Sequence, residues 1–220
     1  MFLMPIPPVF LKVTSLSLVG TTSGTGGTVT VHASVQAGDI IMVGHGDRHS
    51  SPSVGTGFTE IDKAGNTNGG FTDSGICTAF KIADGTETTV SGWTGTGASW
   101  GSAVFRPNIP ATSGAALDTY AYAGTGNPTA NTISCTTATN PTIAIYAIWE
   151  ASNVMGNDFG TFSADGNDPI TGATQVLSDN GGHGLIVYFK EQAVSGAFDI
   201  LADIGDIGVQ ASANGYVEVS

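Results

Sequence analysis

The chain has 220 residues, a formal net charge of −12 and only six Lys and Arg residues. A polyanionic partner must be met by clustered cations, so this balance argues against binding to nucleic acid or to an anionic membrane surface. Glycine is abundant, with 32 residues, and charged residues make up 11% of the chain. Many glycines and few helix-forming residues favour an all-β protein, and the length suits one such domain.

The chain begins with an apolar arm, residues 1–12, and we expect a single β-sandwich domain over residues 13–220. Three prolines keep the arm extended, because proline fixes φ and disfavours the helical region for the residue before it. The arm lacks the basic residues of a signal peptide, and no apolar run is long enough to span a membrane. Apolar surface left in water costs about 25 cal/mol per Å². We therefore expect Met1 to Leu11 to lie at an interface of a homo-oligomer or against another protein.

Strands are predicted where apolar and polar residues alternate, or where glycine or proline bounds a short apolar run. Ile143 to Trp149 is apolar on both faces, which predicts a central strand covered on both sides. Polar and glycine-rich stretches such as 44–57 and 63–74 are interpreted as loops, and 117–123 and 200–207 could each hold a helical turn. In chain order the predicted strands cover residues 9–19, 28–35, 40–43, 58–62, 76–82, 86–92, 99–105, 143–149, 185–190, 196–200, 208–212 and 215–219.

Two parts of the chain resemble one another, because four segments recur in the same order with similar spacing. The first copies are residues 28–31, 38–43, 80–81 and 100–105, and the second copies are residues 132–135, 140–145, 189–190 and 214–219. A strand order used twice predicts an all-β fold, a two-sheet β-sandwich of jelly-roll type with about ten strands from two similar halves. Both halves should share one core. The residues expected to be buried are Val29, Val31, Ile41, Val43, Phe80, Val104, Ile143, Ile145, Val187 and Phe189.

The segment 38–49 is similar to the second motif of the cupins, jelly-roll proteins that hold a metal with histidines and a carboxylate. The similarity is partial, because Gly44 stands where the motif has proline and Ser53 where it has asparagine. The first cupin motif is absent, and only His32 lies upstream. Cupin chemistry would therefore lack several of its metal ligands.

His45, Asp47 and His49 would share one face of an extended chain. Imidazole and carboxylate groups suit zinc or a similar ion. Gly44 and Gly46 indicate instead a polar loop that leaves a strand, so we predict no metal at these residues.

Other polar groups are weaker candidates for chemistry. Asp165–Asp168 resembles part of a calcium-binding loop but lacks its spacing, and we interpret it as a surface turn, like the set Asp199, Asp203 and Asp206. No Gly-x-Ser-x-Gly elbow is present, and His183 lies in a predicted hairpin loop. The spacing of the remaining carboxylates selects no glycosidase pair. These carboxylates are Glu60, Asp62, Glu87, Glu150 and Glu191.

Tryptophans and cysteines complete the candidates. Trp93, Trp100 and Trp149 could stack on sugar rings, although such residues more often anchor a core. Cys77 and Cys135 are too few for a disulfide framework, and we interpret them as buried thiols. We therefore predict no catalytic residue, no bound metal and no cofactor.

The segments Gly57–Thr59, Phe80–Thr88 and Trp100–Arg106 resemble, in this order, strands of virion proteins from tailed phages, especially aquatic phages. The resemblance covers roughly residues 28–106, with a weaker echo after residue 130. It implies a non-enzymatic structural protein of the virion exterior that is assembled in the host cytoplasm. Capsid decoration proteins and components of a tail fibre or baseplate are of this kind, and their partners are other virion proteins.

Two other functions stay open at this stage. A carbohydrate-binding or host-adhesion module would bind a host-surface glycan. A cupin-like enzyme would need a metal. Glycan binding and the metal content of the purified protein would distinguish these from a structural protein.

Overall fold

The computed structural model describes residues 12–47, 51–68, 71–94, 98–125, 138–150, 162–163, 174–179, 184–192, 201–202 and 209–220. All regular elements within these ranges are β-strands. The first half of the chain forms β1 (Leu16–Thr25), β2 (Val29–Thr30), β3 (Ile40–Asp47), β4 (Thr59–Asn68), β5 (Phe71–Ile82), β6 (Thr89–Val90) and β7 (Ser99–Pro107). The second half forms β8 (Gly114–Thr125), β9 (Thr142–Glu150), β10 (Phe162–Ser163), β11 (Thr174–Asp179), β12 (Gly184–Gln192), β13 (Leu201–Ala202) and β14 (Val209–Val219).

Two five-stranded sheets pack face to face. The first has the order β1-β7-β3-β5-β4 and the second the order β11-β12-β9-β14-β8, and β2–β6 and β10–β13 form two separate two-stranded sheets. The predicted all-β, two-sheet sandwich is therefore confirmed. Its connections differ from the alternation between sheets that a jelly roll implies, because each half of the chain completes one sheet by itself.

The two halves of the chain have the same topology. Read from its first strand, one sheet runs β1-β7-β3-β5-β4 and the other β8-β14-β9-β12-β11, so strands of the same rank occupy the same places. The backbone hydrogen bonds that follow the closing strands β7 and β14 agree as well. The amide of Asn108 donates to the Ser15 carbonyl at 3.1 Å, and the amide of Ser220 donates to the Ser113 carbonyl at 3.0 Å. The repeat in the sequence is thus a repeat of the strand arrangement.

The register of the repeat differs from the one that the sequence pattern indicated. Lys81 pairs with Ile41, and its counterpart Lys190 pairs with Ala144. Ile41 is therefore equivalent to Ala144 and not to Ile143, and in the closing strands Val104 is equivalent to Tyr216 and not to Glu218. A slip of one residue would turn every side chain to the opposite face, so the packing of the apolar face decides the register.

The space between the sheets is filled by a core to which both halves contribute. Phe105 of β7 and Phe189 of β12 meet there edge to face, with ring centroids 6.3 Å apart. Glycines of β3 let the second sheet approach closely: a Cβ atom at Gly46 would lie 2.5 Å from Cε3 of Trp149. The strand β9 is central in its sheet, as predicted.

All the residues predicted to be buried are buried, but they divide between two cores. Five lie between the sheets, and five lie on the opposite face of the first sheet. We call the cover on that face the outer layer. It consists of β2, β6 and the loops of residues 26–38, 51–58 and 83–94, which carry apolar side chains such as Val29, Val90 and Trp93. The core shared by the two halves is therefore confirmed, and the first sheet carries a second core on its other face.

Several segments differ from the predicted secondary structure. Most of the predicted loop 63–74 belongs to the β4–β5 hairpin, and 117–123 lies in β8 instead of a helical turn. Of the predicted strand 28–35 only Val29–Thr30 is a strand, and 174–179 is a strand that was not predicted. Tertiary pairing overrides local preference here, since β14 pairs with β8 along its whole length.

Candidate functional site

The polar residues that sequence analysis singled out on β3 lie beneath the outer layer. His45 is paired with Cys77 of β5 on one side and with Trp100 of β7 on the other. Its imidazole stacks on the indole of Trp93, with ring centroids 5.2 Å apart and an interplanar angle of 18°. His45 and Asp47 are both fully buried. The expected sharing of one face by these two residues is confirmed, but they end a buried strand and do not form a polar loop.

Burial controls the protonation of this cluster. Desolvation lowers the pKa of His45 to about 4, although a contact of Nε2 with the Gly26 carbonyl at 3.4 Å favours the charged form. Burial also raises the pKa of the Cys77 thiol, and the nearby Asp47 adds to this effect. The thiol donates to the Ser53 carbonyl at 3.4 Å. At neutral pH the cluster therefore holds a neutral imidazole and a protonated thiol, neither of which is poised to act as an acid or a nucleophile.

A metal centre finds little support in this geometry. Within the described ranges no three His, Cys, Asp or Glu side chains come together as metal ligands would. His49 lies outside those ranges, so the full set with His45 and Asp47 cannot be assembled from them. The stacked rings of His45 and Trp93 have a structural role, because they join the first sheet to the outer layer.

The tryptophans do not form a sugar-stacking platform. Trp93 belongs to the outer layer and Trp100 lies beneath it, and both are about 5% exposed or less. Trp149 is fully buried between the two sheets. The three rings are therefore core anchors on different faces of the first sheet, as the alternative interpretation predicted.

Among the carboxylates, Glu87 holds a turn. It forms an ion pair with Lys81 at 2.7 Å and accepts hydrogen bonds from the amides of Asp84 at 2.9 Å and Gly85 at 3.0 Å. Burial alone would raise the pKa of Glu87, but these hydrogen bonds outweigh it and hold the pKa below its ordinary value. The segment Phe80–Thr88 therefore encodes a turn that is held by Glu87.

Glu60 and Asp62 are neighbours on β4, an edge strand. Burial raises the pKa of Asp62, and the charge of Glu60 adds to this rise. Glu60 also forms an ion pair with Lys63 at 2.8 Å on the protein surface, where half of the lysine side chain is exposed. Glu60 and Asp62 are thus two of the glycosidase candidates that lie close together, and Glu60 is paired with Lys63.

The described surface includes two clefts beside charged pairs. One of about 170 Å³ lies beside the Arg106–Asp39 pair, in which Nε and Nη2 of the arginine donate to the two carboxylate oxygens at 2.9 and 2.8 Å. The other, of about 320 Å³, is a shallow groove lined by hydroxyl groups such as those of Thr88 and Ser91, above the Lys81–Glu87 pair. Both charged pairs fix loops of the outer layer, and neither cleft contains an unpaired charge.

The four edges of the sandwich differ in how well they are protected. The edge strand β4 carries Glu60, Asp62 and Lys63, and β11 is only six residues long. The edge strand β1 lies beside the outer layer, where Thr22 donates to the Thr30 carbonyl. The fourth edge strand, β8, has twelve residues, of which Asp118 alone is charged. Sequence analysis missed β8, although its Thr-Tyr-Ala-Tyr run, residues 119–122, is typical of strands.

Several predicted features lie outside the described residues. They are the arm up to Leu11, His49, Cys135, the stretch Asp165–Asp168, His183 and the set Asp199, Asp203 and Asp206. The side chain of Glu150 is not described either, and Glu191 is exposed.

No helix long and apolar enough to cross a membrane occurs in the described part of the chain. Comparison with protein-family models, with curated proteins and with solved structures gives no match.

Proposed function

We propose that this protein is a non-enzymatic structural component of a phage virion exterior, which acts by associating with its own copies and with other virion proteins. The observation that carries the proposal is the edge of β8. It is long and nearly uncharged, and on its outer side it pairs with no described strand. Soluble β-proteins usually protect such edges, because an open edge is a template for pairing with another chain.

The residues that resemble tailed-phage proteins support this proposal through their structural roles. Gly57–Thr59 leads into β4, Phe80–Thr88 ends β5 and forms the Glu87 turn, and Trp100–Arg106 lies in β7. Arg106 closes the set by its paired contact with Asp39. A scaffold held by such contacts suits a protein whose function is to be a stable building block.

The composition supports the same function. A net charge of −12 keeps copies apart until specific contacts form. The burial of His45 and Cys77 argues against chemistry at the one polar cluster on β3.

The tryptophans and His45, which suggested the two alternative functions, are buried in the structure. An adhesion module would need an exposed aromatic platform, and the three tryptophans are buried. A cupin-like enzyme would need accessible ligands, and His45 is enclosed beneath the outer layer.

The test uses particles of the phage whose genome encodes this chain. Peptide mass spectrometry of gradient-purified particles should detect the protein at many copies, and antibodies against it should label the capsid surface or the tail in electron micrographs. Absence from purified particles, together with its presence in the lysate, would overturn the proposal. Binding of the pure protein on a glycan array, without association with particles, would favour the adhesion alternative.

A further inference from the structure

We infer that the edge of β8 accepts residues 2–7 of a second copy of this chain, which add a sixth strand to the second sheet. The inference deepens the proposed assembly function and rests on it. It names the acceptor, the donor and the backbone groups that join them.

The acceptor is identified by comparing the four sheet edges. Charges on β4, the shortness of β11 and the outer layer beside β1 each discourage strand addition. Along β8 the side chains of Ala115, Thr119 and Ala121 are exposed and small, and Asp118 is the one charged residue. At Ala115, Thr119 and Ala121 an incoming strand can therefore approach the backbone of β8 without displacing a bulky or charged side chain.

The donor is identified by the positions of its prolines. In a strand, successive residues direct their N–H groups to opposite sides, so residues of one parity serve one neighbour. Phe2, Met4 and Ile6 share a parity and keep their N–H donors, whereas Pro5 and Pro7 share the other parity and have none. Such a segment can add to an edge with its even-numbered residues, while its outer side cannot accept a further strand. It caps the sheet, which limits the assembly.

The length and origin of the arm fit this role. Eleven residues precede the described chain, and all eleven are uncharged. The chain is anchored immediately after them: Lys12 Nζ donates to the Thr139 carbonyl at 3.2 Å, and Val13 is 2% exposed in the core between the sheets. The Thr139 amide donates to Glu218 at 2.7 Å, and Glu218 pairs with Ala115 at the start of β8. The arm therefore leaves the sandwich close to the end of the edge that it would serve.

The arm that pairs with β8 is expected to come from a second copy, because only a second copy would cover both faces of the arm. β4, which packs over β8 and β14, is itself the last strand of the first sheet. A sixth strand added to the second sheet would lie beyond it, so one face of the apolar arm would stay in water. A neighbouring copy covers that face with its own body. Because Lys12 is linked through Thr139 and Glu218 to the start of its own β8, two copies with adjacent β8 edges can exchange arms reciprocally around a two-fold axis.

The test compares two proline variants of the full chain by sedimentation velocity over a range of concentrations. Met4→Pro removes a donor on the inward side and should weaken self-association about tenfold or more. Leu3→Pro adds a proline to the side that already carries two, and it should leave association unchanged. Both substitutions lie in the arm and leave the sequence of the sandwich unchanged. A difference in association between the two variants would therefore not come from a loss of folding.

A second pair of variants tests the acceptor. Thr119→Lys combined with Ala121→Lys places charge along β8 and should weaken association, whereas Ser17→Lys combined with Ser23→Lys on the edge strand β1 should not. Equal effects of the two proline variants, or no effect of the β8 lysines, would overturn the inference while leaving assembly by another surface in place. A full chain that is monomeric at every concentration would also overturn it, and the particle analysis then decides separately whether the proposed function stands.

Discussion

Gly46 and Trp149 occupy equivalent positions in the two halves of the chain and face each other across the sandwich. The equivalence follows from the strand register, and a Cβ atom at Gly46 would lie 2.5 Å from Cε3 of Trp149. Gly44 and Ala147, also equivalent, meet in the same way, with 3.1 Å between a Cβ atom at Gly44 and that of Ala147. Equivalent positions meet each other only near a two-fold axis, so the halves pack like two subunits of a dimer, with the axis along the strands. One half provides the largest side chain where the other provides none.

Gly46→Ala should destabilise the protein by about 1–3 kcal/mol, because the added methyl group overlaps the backbone-proximal atoms of Trp149 and cannot be avoided by a change of rotamer alone. Urea denaturation measures the change. In a double-mutant cycle with Trp149→Leu the two effects should be non-additive by more than about 0.5 kcal/mol. Additive effects would show that the two residues do not pack against each other.

The stability of the protein should fall as the pH is lowered from about 6.5 to about 4. The pKa of His45 is lowered by burial to about 4 from its ordinary 6.5, so in this window the unfolded chain binds a proton that the folded chain does not. The contribution of this group is present above the ordinary pKa, and about 3 kcal/mol of it is lost by the time the pH reaches the folded-state value.

The measurement is the denaturation midpoint as a function of pH for the protein and for His45→Phe, which keeps a ring beside Trp93 and removes the titrating group. The variant should show a shallower decline over this window. The same substitution at the half-buried His32 serves as the control. An unchanged slope in His45→Phe would mean that other groups govern the acid sensitivity.

Glu87→Ala should cost about 1–3 kcal/mol, because it leaves the amides of Asp84 and Gly85 without their acceptor and removes the nearer of two carboxylates that pair with Lys81. Glu60→Ala is a matched control, since Glu60 also pairs with a lysine, at 2.8 Å, but on the surface. Its effect should stay within about 0.5 kcal/mol, as is usual for exposed ion pairs. Thermal or chemical denaturation compares the two, and equal effects would show that the turn does not depend on Glu87.

A circular permutant should fold, because the residues that follow β7 and β14 occupy equivalent positions. Asn108 is equivalent to Ser220, and Lys12 to Pro110, so a single residue should suffice to join Ser220 to Lys12. We expect a chain that starts at Ile109 and ends at Asn108, joined in this way, to keep the far-ultraviolet spectrum and a cooperative unfolding transition. A permutant opened inside β3 is the control and should not fold. Failure of the first permutant would contradict the equivalence of the two connections.

The sequence by itself determined the class of the fold, the repeat and most of the buried positions. Alternation along a strand depends on residues that are neighbours in the chain, so Ile143 and Ile145 could be placed in a core without knowledge of their partners. The same holds for the matched pairs Phe80–Lys81 and Phe189–Lys190, which occupy equivalent strands.

Only the tertiary structure decided which face of each strand meets which neighbour. Gly44 and Gly46 predicted a loose loop, yet they lie in a buried strand because Val187 and Trp149 of the other half fill the space above them. The spacing of His45 made it a candidate metal ligand, and in the structure its ring is buried and stacks on Trp93. Contacts of this kind join residues that are tens to more than a hundred positions apart, and local periodicity carries no record of such partners.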